Sequence, residues 1–561
     1  MKYAQGFLFY LTLTTICLCI LTGTAVAQNS SFKLFTNGTI YIDTKTTVKN
    51  LLVKDGTVQA YNVDPVKFKD AEIVDLAKGT AYPGFIDSHV HLMEAGTFFN
   101  IGVDLQNCNN VDAIALVLAK KAKTVPEGSI LIGVGFSLKD YDKWSIEDLV
   151  KVDRATGNRP LFIVDYLGHN SIINSATMKL CNISKSTPVP YGGKIIIEDG
   201  KPTGMLRESA MSIPGNKIMS MIDNKDVKIG TEKMLKLWAS IGYTSVVDLM
   251  GLPGCRLMKP EVFYDMEKEG ILPVRVNYCY TIYNLDDVDD ALKYVGKDTD
   301  MVKFYGCKIF IDGAFAGGQA WTSWKNQQNN HGLMEVSNND QAGPQKNINR
   351  IIARAEDLGL NMHYHTQGDM AVEVVLDALD KVVAKKGSIK GKHVLAHVAF
   401  ITDEQIARIK KFNGHVIVTV QPAFWEVEKG VDYYYGKHSN QSYQIKKLFK
   451  NEIPVGISTD FSVSPLAYAA PAAIMKVAET GGNKPAIHQP LEKKDIISGL
   501  SLGSSLATSM KDLGVLYRGC KADMVVYEKD FFSIEPDKLD KDFPRVMSTW
   551  IGGKKVYEAN K

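Results

Sequence analysis

The chain has 561 residues, 45% of them hydrophobic and 23% charged, a balance that excludes a disordered or fibrous protein. That length exceeds one compact core and points to several domains. The 65 Lys and Arg against 62 Asp and Glu leave a formal charge of +3, which offers no electrostatic case for a nucleic-acid partner.

Residues 1–27 open with one charge, Lys2, pass through an apolar run from about Phe7 to Leu21, and end on Ala25-Val26-Ala27. This order predicts a secretory signal peptide, because the run is short for a spanning helix and ends on small residues. Cys17 and Cys19 lie inside the run, so no lipid-attachment cysteine follows the expected cut. The expectation is a secreted or periplasmic protein with no membrane association after cleavage. Cys108, Cys181, Cys255, Cys279, Cys307 and Cys520 are scattered without a C-x-x-C, and most are expected as buried thiols.

Residues 28–82 read as short strands. Phe32-Lys-Leu-Phe, Gly38-Thr-Ile-Tyr-Ile and Asn50-Leu-Leu-Val are separated by the turn pairs Asn37-Gly38 and Asp55-Gly56. Residues 512–561 look alike, with Ala522-Asp-Met-Val-Val-Tyr, Val546-Met-Ser-Thr-Trp-Ile and the turn Gly552-Gly553. One composite β-sandwich built from both terminal regions is expected. Residues 83–95 hold a first barrel strand, and 96–228 interrupt the rhythm as an insertion. Over 229–511 apolar strands alternate with helical stretches, as in Thr244-Ser-Val-Val-Asp, Pro273-Val-Arg-Val-Asn and Val416-Ile-Val-Thr-Val. The fold class is therefore α/β, a (β/α)8 TIM barrel. A doubly wound sheet lacks the support of a G-x-G-x-x-G turn.

Within Pro83-Gly-Phe-Ile-Asp-Ser-His89-Val-His91, the two histidines are two apart on a strand and share a face, as two imidazoles chelating one metal would. His365 and His397 end two further strands, and Asp460 ends a third in Val455-Gly-Ile-Ser-Thr-Asp. Barrel strands gather their C-terminal ends around one site, so these residues can converge. The alternation Val302, Phe304, Gly306, Lys308 places Lys308 on the inward face. A buried lysine is costly unless paired or neutral. A neutral amine can add carbon dioxide to give a carbamate able to bridge two metals. His363 shares a face with His365 and either supports the ligands or packs. His169 is read as a substrate contact from the insertion, or else as structural. Arg207 and Glu208 could face the pocket. His331, His393 and His415 are read as ordinary, and Tyr433-Tyr-Tyr435 as a packed loop.

The run Pro83–His91 resembles the first-strand signature of the amidohydrolase superfamily, and the rest is similar to its amidohydrolase 3 branch, which contains enzymes like N-substituted formamide deformylase. Lys308-Ile-Phe-Ile-Asp-Gly, His365-Thr-Gln-Gly-Asp, Gln421-Pro422 and Ser458-Thr-Asp460 match branch motifs. So do Gly168-His169 with Asn174-Ser175, and Pro202-Thr-Gly-Met-Leu with Glu208. The resemblance implies a centre of one or two divalent metals, zinc by expectation. His89, His91 and Asp460 would hold one, His365 and His397 the other, and carbamylated Lys308 would bridge. It also makes a homodimer an assembly open to the chain. Three positions depart from the branch. Leu395-Ala396 replaces Ile-Glu before His397, which removes the expected carboxylate behind that imidazole. Leu167 replaces an Asp before Gly168-His169. Gly133-Val-Gly135 is not followed by Trp-Asp.

The implied function is hydrolysis of a non-peptide C–N bond (amide, formamide or N-acyl) in a small molecule, by metal-activated hydroxide with Asp460 as general base and acid. Other chemistries share this donor set: N-acyl-amino-acid deacylase, cyclic imide or lactone hydrolase, and deaminase. A non-catalytic exported binding protein on the same barrel is the reading from another class, and the intact donor set argues against it.

Overall fold

The computed structural model describes residues 32–560, apart from 139–140, 166–167, 191–192, 252–255, 336–342, 428–430 and 540–543. The signal-peptide expectation and the readings at Cys17, Cys19, Leu167 and Cys255 lie outside the described residues.

Eight strands form the barrel: β1 (Phe85–Val90), β2 (Tyr243–Asp248), β3 (Arg275–Thr281), β4 (Val302–Phe310), β5 (Asn361–Thr366), β6 (His393–His397), β7 (Val416–Val420) and β8 (Val455–Ile457). Each pairs in parallel with its successor from β1 to β8. The ring draws shut just past β8, where the Asp460 amide donates to the His89 carbonyl at 2.9 Å and the His91 amide to the Phe461 carbonyl at 2.7 Å. These strands are covered on both faces, which is why β7 reads as a nearly continuous apolar run, Val-Ile-Val-Thr-Val. Val247, Cys279, Tyr305, Val394 and Ile417, from five strands, meet in one cluster, and only the barrel interior allows that. Their neighbours Val246, Tyr278, Leu395 and Val418 join the core under the outer helices. The helix Pro344–Leu358 shows how those helices are specified. It buries Ile348, Ile351, Ile352 and Ala355 on one stripe and stops at Gly359 in the left-handed region.

The phase expected for β4 needs correction. Val302 and Phe304 pack outward, not inward. The pairing with β3 then slips, since Tyr278 pairs with Phe304 while Cys279 pairs with Gly306 at φ +147°. Tyr305 follows the alternation into the interior layer, and the bulge then reverses the phase so that Cys307 and Ile309 join the outer core. Lys308 therefore does face inward, by way of a bulge instead of an unbroken alternation.

The terminal regions form two sheets. One orders Thr57–Tyr61, Leu51–Lys54, Lys33–Thr36 and Glu72–Asp75. The other mixes both regions, placing Met524–Tyr527 antiparallel beside Thr80–Pro83. Their shared core includes Phe35, Leu51, Val53, Met524 and Trp550. Between β1 and β2 a separate six-stranded sheet runs from Val103–Asp104 to Lys194–Glu198 with its own core. The helices at its entry and exit, Leu92–Ile101 and Asn224–Ile241, touch at Gly96 and Gly230. A Cβ on either would overlap the other's carbonyl group, so only glycine permits this approach. Cys108, Cys181, Cys279, Cys307 and Cys520 are free thiols. No described helix is long and apolar enough to cross a membrane.

Candidate metal centre

His89 lies near the end of β1, and His91 comes next but one, as the last residue before the helix Leu92–Ile101. His365 is in β5, His397 ends β6, Lys308 is in β4 and Asp460 lies just past β8. All six are buried. Asp460 Oδ1 is 3.3 Å from His89 Nε2 and 3.5 Å from His91 Nε2, and its Oδ2 is 3.9 Å from His397 Nδ1. The rings of His365 and His397 are 4.6 Å apart, centre to centre. The tightest donor group is His89, His397 and Asp460, whose ligand atoms all lie within 4.8 Å of one another. His397 stands between the two sides, its ring 4.8 Å from that of His89 and 4.6 Å from that of His365.

The electrostatics of the cluster favour neutral donors. Burial, then the positive charge of neighbouring groups, holds His89 and His365 well below the ordinary histidine range. Burial does the same to His397, with the charge of His365 next. Burial lowers Lys308 to about 8 against a weaker pull from Asp460. Its Nζ makes no hydrogen bond and sits 4.8 Å above the Phe310 ring. Burial pushes Asp460 up, but contact with His91 and the charges of His397, His91 and Lys308 outweigh it, so the carboxyl lies below its usual range. Asp460 Oδ1 and His91 Nδ1 also lack hydrogen-bond partners. Buried polar atoms are seldom left unpaired. The unpartnered Asp460 Oδ1, with His89 Nε2 and His91 Nε2 within 3.5 Å of it, is a donor set that suits a divalent cation.

A second layer fixes these side chains. Asp312, at the mouth of β4, receives His365 Nδ1 at 3.1 Å and the amides of Gln367, Gly368 and Trp321. Burial raises its carboxyl to about 7. His397 Nδ1 lies 2.8 Å from Gln421 Oε1, whose amide nitrogen donates to Ser458 Oγ at 2.9 Å. Gln421 thus orients His397, whose strand neighbour Ala396 carries no carboxylate. His363 Nε2 lies 3.1 Å from His89 Nδ1, so His363 braces a ligand. Asp87 accepts from Trp238 Nε1 and from the amide and hydroxyl of Thr459, which locks β1 to the turn that carries Asp460. His397 at φ +76° and Asp460 at φ +53° are both left-handed. Such strain gathers at functional positions, at about 1–3 kcal/mol each.

Sequence reasoning misses the supporting roles of Asp312, Gln421 and Asp87. Asp312 has a readable signal, since Lys308, Phe310 and Asp312 are spaced two apart on one face of β4 and its continuation. His169, from the insertion, is buried and pairs with Glu208. His393 lies behind the barrel wall, bonded to Tyr364 and Glu356. His331 and His415 bond to backbone carbonyls. The tyrosines expected as a packed loop instead end a short helix, Val431–Tyr435, in which Tyr435 is buried against Phe315 while Tyr433 is 71% exposed.

Residues 72–557 match the sequence profile of the amidohydrolase family. The chain is 24% identical over 503 residues to YtcJ of Bacillus subtilis (strain 168), whose name assigns it provisionally to the amidohydrolases, covering 87% of this chain and 91% of YtcJ. It is 24% identical over 328 residues to N-substituted formamide deformylase of Arthrobacter pascens, covering 56% of this chain and 58% of that enzyme. A crystal structure of an uncharacterized metal-dependent hydrolase from Pyrococcus horikoshii OT3 shares the fold. It superposes with a TM-score of 0.72 at 23% identity, over 90% of this chain and 99% of that one.

Proposed function

The chain belongs to the amidohydrolase family, and from that premise we propose that it is an exported hydrolase that uses a divalent metal to cleave a non-peptide C–N bond of a small molecule. The observation that carries this reading is the convergence of four histidines, one carboxylate and one unpartnered lysine at the C-terminal end of the barrel. His89, His91, His365, His397 and Asp460 would hold the metal, zinc in the first instance. Lys308 would bridge two ions after its neutral amine adds carbon dioxide and releases one proton. A bound divalent ion supplies Lewis acidity, making water acidic enough to attack at neutral pH.

The chain's own residues supply the rest. Asp460 takes a proton from the attacking water and returns it to the leaving nitrogen. Its depressed basicity keeps it ionised and ready to accept. Asp312 and Gln421 accept from Nδ1–H of His365 and His397, which leaves each Nε2 unprotonated and able to donate its lone pair. The resemblance of residues 1–27 to a signal peptide supports export.

The test is metal content of the purified protein by elemental mass spectrometry, with His89→Ala and Lys308→Ala beside the wild type. The same preparations are assayed on formamides, simple amides and N-acyl amino acids. The expected result is about two ions per chain, reduced in both variants, with amide turnover that falls in step. A folded protein that takes up no metal even with zinc and bicarbonate would overturn the reading.

A further inference from the structure

The insertion contributes one charged group to the rim of the centre, and its surroundings are built to hold it. His169 follows Leu161–Asp165 and precedes the strand Asn170–Ile173. Its Nδ1 lies 2.6 Å from Glu208 Oε2. Glu208 Oε1 receives Gln319 Nε2 at 2.5 Å, from the loop that follows β4. The Glu208 amide donates to the His169 carbonyl at 3.0 Å, and Glu208 itself is left-handed at φ +49°. Glu335, whose amide bonds to the Ile311 carbonyl beside Asp312, lies close enough to share a proton with Glu208. Three separate segments thus converge on one carboxylate that faces one imidazole.

The charges in this wall settle what it can receive. Burial and then the Glu208 charge keep Glu335 protonated, so the two glutamates carry one negative charge between them. Burial works against a charged His169, but Glu208 overcomes it and keeps the ring protonated above its ordinary range. Asp165 is spent on the amides of His169 and Asn170 and on the Asn170 side chain. Asp312 is spent on the backbone of the β5 loop. With Nδ1–H given to Glu208, the imidazolium has one donor left, Nε2–H, and no described residue accepts from it. His169 lies near enough to His365 to depress that ligand's basicity. A cationic donor held in a largely desolvated wall bonds most strongly to an oxyanion.

We propose that His169, braced by Glu208, receives a carboxylate on the substrate, so that the preferred substrates are amides carrying an acid group a few bonds from the scissile carbonyl. This rests on the hydrolase reading above and gives the insertion its role: the barrel holds the reacting bond, and the insertion selects by charge.

The test uses a matched pair of probes, N-benzoylglycine and N-benzoylglycinamide, which differ only in the carboxylate. Binding to the zinc-loaded full chain is measured by calorimetry for wild type, His169→Gln and Glu208→Gln, with circular dichroism and zinc content as folding controls. The wild type is expected to bind the acid at least about ten-fold more tightly than the amide. His169→Gln removes that preference, Glu208→Gln shrinks it, and affinity for the amide stays within about two-fold. Equal affinities in the wild type, a preference that survives His169→Gln, or binding of neither probe would overturn the inference. Turnover separates it from the hydrolase reading. A protein that hydrolyses both probes equally keeps its function and loses the carboxylate site. A protein that prefers the acid but hydrolyses no amide keeps the carboxylate site and loses the function.

Discussion

Replacing Asp312 by Asn exchanges one acceptor oxygen for a donor group at a carboxylate that serves two sides at once. Oδ1 takes His365 Nδ1 at 3.1 Å and the Gln367 amide at 2.9 Å, while Oδ2 takes the Gly368 amide at 2.7 Å and the Trp321 amide at 3.0 Å. Asparagine has one acceptor oxygen and one donor group, so either orientation turns N–H against N–H. With the oxygen kept toward His365, the Gly368 and Trp321 amides lose their partner. A buried donor left unmet costs about 1–3 kcal/mol, so the loss is about 2–6 kcal/mol. With the oxygen toward the backbone, the imidazole loses its orienting acceptor, and metal affinity falls about 10–100-fold. Urea unfolding and metal titration of Asp312→Asn measure the two outcomes side by side. Stability within about 0.5 kcal/mol of wild type together with unchanged metal affinity would refute the reasoning.

The same geometry carries three more outcomes. Lys308, lowered to about 8, is ~10% neutral at pH 7, against ~0.03% for an ordinary lysine. Raising the pH frees more amine, so reactivation of metal-stripped protein at fixed dissolved carbon dioxide should quicken about ten-fold from pH 6 to 7 and level off above 8. A flat profile would remove Lys308 from the step. Asp460→Asn should keep its folded metal site but lose about 10²–10⁴-fold in turnover, and full activity would sink its role as base. Gly96→Ala drives a methyl group into the Gly230 carbonyl. It should destabilise by about 1–3 kcal/mol in urea, whereas an unchanged midpoint would show that the helices part freely.

Periodicity decides how much of the site is legible in the sequence. His89 and His91 are two apart on a strand, and His365 and His397 lie at the ends of two further short strands, so their convergence can be foreseen once a barrel is inferred. The route to Lys308 cannot. Alternation carried straight through Gly306 misses the bulge that reverses it, and a bulge depends on the partner strand. Gln421 escapes for a like reason. A search beside His397 along its own strand stops at Ala396, while the actual partner stands across the sheet just past the end of β7. The His169–Glu208 pair joins residues 39 apart in the chain to a glutamine on a barrel loop, and local spacing does not encode that.

The mixed sheet sets a clock on folding. The strand Thr80–Pro83 leads directly into β1, yet one of its edges is covered only by Met524–Tyr527. Roughly 440 residues must be synthesised in between, which at about 5–20 residues per second takes on the order of 20–90 s. Throughout that interval an apolar strand presents unpaired amides and carbonyls, the kind of edge on which chains aggregate. The nascent protein therefore keeps an open edge beside β1, the strand of His89, until the distant partner arrives.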